Sequence, residues 1–135
     1  MEISLAYINM VNSKKKILLI EDEEIITDLL ERKLTKEGYC VDVARDGEQG
    51  LEKMRNDKPD LVLLDIVMPK LGGFEVMERM RKDKELNSIP VIIISNSGQP
   101  VELDRAKELG ASDWLIKAQF DPQEVLDKVI KQIGK

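Results

Sequence analysis

The stretch Leu61-Val62-Leu63-Leu64-Asp65-Ile66-Val67-Met68-Pro69 restricts the possible folds more than any other part of the chain. Four large apolar residues follow one another without alternation, which suits a strand covered on both faces of a parallel sheet. A second run of this kind, Val91-Ile92-Ile93-Ile94, comes directly after Pro90. Asp65 stands where the first of these strands should end. In open parallel sheets, ligands bind outside the carboxyl ends of the strands. Taken alone, Asp65 reads equally well as a turn-capping residue or as a functional carboxylate.

The remaining elements fit around those two runs. Lys16–Ile20 reads as a first strand; Ile26, Leu29, Leu30 and Leu34 then recur at helical spacing, and Gly38 is placed as a C-terminal cap. Glu23 and Glu24 fall in the first turn of that helix, where acids suit the dipole and need no functional explanation. Cys40–Ala44 alternates weakly and suits an outer strand, with Cys40 expected in the core. Asp46-Gly47 opens a second helix marked by Leu51 and Met54, and Gly72-Gly73 makes a turn before a third carrying Phe74, Val76, Met77 and Met80. Pro100 suits a helix start, with Leu103, Ala106 and Leu109 as the inner stripe before Gly110. Asp113–Lys117 reads as the fifth strand. Asp121 then caps a last helix with Val125, Leu126, Val129, Ile130 and Ile133 on one face. Five strands alternating with five helices predict an α/β fold of three layers, a doubly wound (βα)5 arrangement of the flavodoxin-like kind. Its parallel five-stranded sheet should run in the order 2-1-3-4-5.

Several functions are excluded early. A chain of 135 residues has room for one ordinary domain. Its net charge of −5, with no dense basic face, argues against nucleic-acid binding. No segment approaches the ~20 apolar residues that cross a bilayer. Residues 1–13 carry no basic region or clear cleavage site, so they read as an N-terminal extension to a domain over residues 14–135. A single cysteine rules out an internal disulfide and fits a reducing cytoplasm. The absence of histidine removes imidazole general acid–base chemistry, Ser-His-Asp triads and histidine metal sites.

In the predicted sheet, the residues ending strands one, three, four and five converge on one edge: Glu21 and Asp22, Asp65, Ser95 and Lys117. Each has a dull explanation on its own, as a cap, a turn residue or a surface lysine. Their convergence is harder to dismiss. Two unit charges ~4–5 Å apart repel by roughly 3–4 kcal/mol at an effective dielectric near 20, so three clustered carboxylates need compensation. Lys117 offsets part of this, and a hard divalent cation with oxygen ligands offsets more. An acidic pocket with one lysine and one hydroxyl suits a phosphoryl group bound through Mg²⁺.

With these residues in place, the sequence resembles the receiver domain of two-component response regulators, from about Lys14 to the C-terminus. The matching motifs are ILLIEDE, LLDIVMP with Gly73, IIISN and DWLIK. The resemblance implies that Asp65 is the phosphoacceptor. Asp22, Asp65 and the backbone carbonyl of Val67 would bind Mg²⁺, with Glu21 acting through a water. It implies that Ser95 hydrogen-bonds the phosphoryl group and that Lys117 pairs with a phosphoryl oxygen. The donor would be a phosphohistidine of a sensor histidine kinase or phosphotransfer protein. Asn96, Ser97 and Met68 would border the path of the hydrolytic water.

Signalling in that family passes through the face of the fourth helix, fifth strand and fifth helix, towards a downstream protein. Trp114 takes the place of the aromatic that turns inward; packing at a sheet edge would also account for a tryptophan there. The family usually has proline after the lysine, and here Ala118 follows Lys117. A cis bond before a non-proline residue costs about 3 kcal/mol, so a trans bond or a strained loop is expected. Two other classes compete. A haloacid-dehalogenase-type phosphatase would want a second Asp two residues after Asp65, where Val67 stands, and a flavin phosphate would be repelled by Glu21–Glu24. A degenerate receiver that binds partners without phosphorylation would not need the full set of acids, hydroxyl and lysine. The chain ends soon after the last helix, so output is expected through surface contacts or a longer parent, as a monomer or a phosphorylation-dependent dimer.

Overall fold

The computed structural model describes residue 4 and residues 14–96, 98–118 and 121–135. The extension over 1–13, apart from Ser4, and Ser97 lie outside the described residues. Five strands, β1 (Lys16–Ile20), β2 (Cys40–Ala44), β3 (Leu61–Asp65), β4 (Val91–Ser95) and β5 (Asp113–Ile116), form one sheet. Its order is β2-β1-β3-β4-β5 and every pairing is parallel. The helices are α1 (Glu24–Lys36), α2 (Gly47–Asn56), α3 (Gly73–Lys82), α4 (Pro100–Glu108) and α5 (Pro122–Ile133). This is the three-layer arrangement expected from the sequence.

The unbroken apolar runs are explained by two cores, one on each face. Ile17, Leu19, Leu61, Leu63, Ile92 and Ile94 join Leu30 and Leu34 of α1 and Val125, Leu126 and Val129 of α5. Leu18, Ile20, Val62, Leu64, Val91 and Ile93 point the other way, onto Leu51 and Met54 of α2 and Val76, Met77 and Met80 of α3. Each such side chain contributes roughly 1.5–3 kcal/mol when fully buried. A strand with two packed faces has no position left for a polar residue until its end.

The helix ends follow local chemistry. Asp46 Oδ1 accepts from the Gln49 amide at 2.8 Å, and Asp121 Oδ1 from the Glu124 amide at 2.8 Å. Gly38 takes φ of +100° just past α1, which its lack of a Cβ permits.

Three sequence expectations need correction. Cys40 is exposed rather than in the core. Strand β2 lies at the sheet edge, paired only with β1, so an apolar run there does not imply two covered faces. Leu29 is 45% exposed, because Leu30 and Leu34 already fill the inward stripe of α1. In α4 only Ala106 is buried, with Leu103 half-buried and Leu109 half-buried at the C-cap. Conversely, Leu86 and Ile89 are core residues in a turn segment without periodicity, which no spacing pattern would select.

Candidate functional site

The carboxyl ends of β1, β3, β4 and β5 meet at one edge. The Glu21 amide donates to Ala44 O at 3.0 Å, so the chain stays on the sheet one residue past β1 and holds the Glu21 side chain inside. Asp65 is the last residue of β3 and pairs in register with Ile94. The Lys117 amide donates to Ser95 O at 2.7 Å, which extends the β4–β5 ladder and fixes the lysine opposite Ser95. The Lys117–Ala118 bond is trans, and neither residue has positive φ.

Asp65 is held from behind as well. The Gly73 amide donates to Ile66 O at 2.8 Å, drawing the start of α3 against the end of β3. In α3, Glu75 Oε2 accepts from the Gly72 amide at 2.8 Å and satisfies one end of that helix. Lys70, in the loop between β3 and α3, adopts φ of +67°. A side chain rarely occupies that region without surrounding constraint.

Lys117 Nζ sits among three acids, at 2.5 Å from Glu21 Oε1, 3.0 Å from Asp65 Oδ2 and 3.3 Å from Glu23 Oε1. The approach to Glu21 is that of an ion pair without hydrogen-bond geometry, and among the described residues neither Glu21 oxygen has a hydrogen-bond partner. Glu21 is 1% exposed. Burial first, and then the Asp65 side chain beside it, push the Glu21 carboxyl well above the usual range; Lys117 opposes this only in part. Burial lowers the Lys117 pKa, but the neighbouring Glu21 and Asp65 carboxylates outweigh that and hold it above its ordinary value. One ammonium therefore serves a pocket with more negative than positive charge.

Ligand oxygens of Glu21, Asp22 and Asp65 come within 4.8 Å of one another. Buried carboxylate oxygens without donors, next to an exposed Asp22 reachable from solvent, fit a divalent cation with oxygen ligands. The cleft above them has a volume of about 270 Å³. It is walled by Asp22, Glu23, Asp65, Val67, Ser95, Asn96, Glu102 and Lys117.

The edge thus gathers Glu21, Asp22, Asp65, Ser95 and Lys117 as the sequence led one to expect, together with Val67 and Asn96. Met68 does not border the cleft; it packs against the core under α2 and α3. Trp114 lies on β5, away from the cleft, half-buried against the same core and beside Leu103 and Lys107 of α4. Two acids were missed. Glu23 was explained by the helix dipole, yet its carboxylate reaches Lys117. Glu102 had the signal that the first turn of a helix entered from a strand end points back at that edge.

The comparisons with known proteins agree with this geometry. A model of the response regulator receiver domain matches residues 17–130. The alkaline phosphatase synthesis transcriptional regulatory protein PhoP of Bacillus subtilis is 40% identical over 115 residues, which are 85% of this chain and 47% of that protein. The chain spans about half the length of the curated relatives it matches. Among solved structures, the chemotaxis response regulator CheY4 of Vibrio cholerae superposes with a TM-score of 0.84 at 26% identity, over 90% of this chain and 100% of that one. The Mn²⁺-bound form of response regulator Rcp1 superposes with a TM-score of 0.76 at 25% identity, over 88% and 93% of the two chains. Sheet order, the acids and lysine at the strand ends, and a family match over most of its length together show that this chain belongs to the response regulator receiver domains.

Proposed function

We propose that Asp65 is the phosphoacceptor of this receiver and that residues 14–135 form the receiver unit. The donor is a phosphohistidine on a sensor histidine kinase or phosphotransfer protein. The observation that carries the reading is Lys117 held 3.0 Å from Asp65 Oδ2 in a buried, acid-rich pocket. Such an arrangement leaves a cation beside the place where phosphoryl charge would arrive.

Asp65 needs no general base, because a carboxylate is already a nucleophile. Its oxygen forms the new bond to phosphorus as the nitrogen–phosphorus bond of the donor breaks. Lys117 then pairs with a phosphoryl oxygen, and Ser95 offers its hydroxyl to another. Placement and charge stabilisation supply the catalysis. Asp22, Asp65 and the Val67 carbonyl would hold Mg²⁺, with Glu21 behind them through a water, and the ion would supply neutralising charge for the phosphoryl oxygens. The acids and carbonyl oxygen of the cleft suit this ion, because it keeps several waters and takes few protein ligands.

Output follows when Ser95 moves towards the phosphoryl group and Trp114 repacks, changing the face of α4, β5 and α5 for a downstream protein in the cytoplasm. Incubation with acetyl phosphate and Mg²⁺, followed by intact-mass measurement, tests the reading. One added phosphoryl group is expected on the wild type and none on Asp65→Asn. A wild type that stays unmodified with acetyl phosphate and with kinase donors would refute it.

A further inference from the structure

Three helices open on an acid as N-cap: Glu23 for α1, Asp46 for α2 and Asp121 for α5. An acid in that place commonly accepts from a free amide of the first turn. Asp46 and Asp121 do so, each taking the amide three residues on at 2.8 Å. Glu23 makes no such bond. Its Oε1 accepts instead from Lys117 Nζ at 3.3 Å, in the wall of the cleft that contains Asp65. This helix forgoes its local cap, and the acid is spent on the lysine.

An ammonium has three N–H groups. Three carboxylates surround that of Lys117: Glu21, Asp65 and Glu23. A phosphoryl oxygen that pairs with Lys117 therefore has to displace one of them. The Glu21 and Asp65 side chains are 2% and 5% exposed, so an oxygen losing the lysine there has no water to turn to. The Glu23 side chain is 51% exposed. Water replaces the lysine at that carboxylate, and the unbonded amides of the first turn of α1 offer it a second place. An ion pair open to water is also worth little. Glu23 is the partner that yields.

We propose that Glu23 holds Lys117 in the unphosphorylated protein and is displaced by the phosphoryl oxygen, so that it sets how tightly the site takes a phosphoryl group; the inference rests on the phosphoacceptor reading of Asp65. No covalent bond changes in this exchange. One N–H of Lys117 passes from Glu23 Oε1 to a phosphoryl oxygen, and Glu23 turns to water or to the start of α1. Glu23 is a positioning residue, acting through Lys117.

The test uses the full chain saturated with Mg²⁺, and beryllofluoride as the probe that takes the place of a phosphoryl group on a carboxylate. Calorimetry gives its dissociation constant. Glu23→Gln removes the charge that holds the lysine, and the constant should fall about two- to fivefold, the range spanned by an exposed ion pair. Glu23→Asp keeps the charge but withdraws the oxygen by one methylene and is suited to cap α1 as Asp46 and Asp121 cap their helices. Its constant should fall likewise, while its affinity for Mg²⁺ alone stays that of the wild type. Wild-type or weaker beryllofluoride binding in both variants overturns the inference. So does an unchanged constant in Glu23→Asp alone, since charge rather than contact would then be acting, or an equal change in its Mg²⁺ affinity, which would put the effect at the metal. Thermal unfolding confirms that each variant is folded. A wild type that neither binds beryllofluoride nor loads with acetyl phosphate fails the parent reading as well; a wild type that does both, with variants that bind alike, fails only the role of Glu23.

Discussion

The Cβ that Gly73 lacks would lie 2.3 Å from the carbonyl oxygen of Asp65 and 2.8 Å from Ile66 Cα. Those are backbone atoms, which cannot move aside as a flexible side chain does. The first residue of α3 must be glycine for the helix to press against the end of β3, and that pressure helps fix where the Asp65 carboxylate points. Gly73→Ala should destabilise the fold by about 1–3 kcal/mol, the usual cost of overpacking, and slow phosphorylation of Asp65. Gly72→Ala is the milder comparison, because its added atom would meet the movable Glu75 Oε2 at 3.1 Å and the Ile66 carbonyl oxygen at 3.3 Å, tight contacts rather than the overlap at Gly73. Urea denaturation and acetyl-phosphate loading of both variants give the comparison. Equal loss in the two would contradict the close-approach explanation.

Lys117 carries the charge balance of the pocket. Its side chain is 5% exposed, and those of Glu21 and Asp65 are 2% and 5% exposed. Lys117→Met fills similar space without the charge and leaves the acids to face one another. Removing one partner from a buried ion pair costs about 3–5 kcal/mol, and protonation of Glu21 should hold the loss near the lower figure. Mg²⁺ should recover part of that stability, since a divalent ion replaces the missing charge. Denaturant midpoints with and without Mg²⁺ measure both effects. Asp22→Ala in the same background should abolish the recovery.

Much of this architecture was legible because the buried strands read as solid apolar runs. Val91–Ile94 and Leu61–Leu64 pack on both faces, so nothing alternates and nothing else explains four such residues in a row. The site was legible for a related reason: polar residues appear only where those runs stop. What escaped depended on three-dimensional cover. Cys40 looked buried because a run on an edge strand resembles one in the middle. Leu86 and Ile89 reach the core from turns, where no period marks them. Glu23 and Glu102 carry ordinary first-turn signatures, and only the folding of two helices onto one sheet edge turns them towards Lys117 and the cleft.

The pH dependence of the metal-free protein should be set by Glu21. Its carboxyl is pushed up to about 8 by burial and by Asp65. A carboxyl with a raised pKa in the folded state binds its proton more tightly there than in the unfolded chain. Its contribution is therefore fully present below the ordinary carboxylate range and is lost as pH rises towards 8. Lys117, held above its ordinary value, stays charged across this window and adds no slope. Thermal unfolding in chelator should show a lower midpoint at pH 8 than at pH 5. Glu21→Gln should flatten the difference, and saturating Mg²⁺ should reduce it. A midpoint that rises over this interval would contradict the assignment.

Arg81 offers a test of how α4 is held. Its Nε donates to Leu109 O at 2.6 Å, Nη1 to Asn87 O at 2.6 Å and Nη2 to Gly110 O at 3.2 Å. One guanidinium from the last turn of α3 thus satisfies carbonyls at the end of α4 and in the turn before β4, with charge where a helix C-terminus favours it. This matters because α4 buries only Ala106, so apolar packing contributes little to its hold. Exposed contacts from Arg105, to Glu78 Oε1 at 2.8 Å and over the Phe74 ring at 4.6 Å, add a second tie to α3. Arg81→Ala should cost about 2–3 kcal/mol, the scale of hydrogen bonds from a charged donor. Arg81→Lys should recover little, since a compact ammonium cannot span three carbonyls in one plane. Hydrogen exchange locates the effect: amides from Ala106 to Ala111 should exchange faster in Arg81→Ala, while those of β3 follow only the global change. A uniform increase across the chain would mean that Arg81 supports the whole fold rather than the helix that carries Glu102.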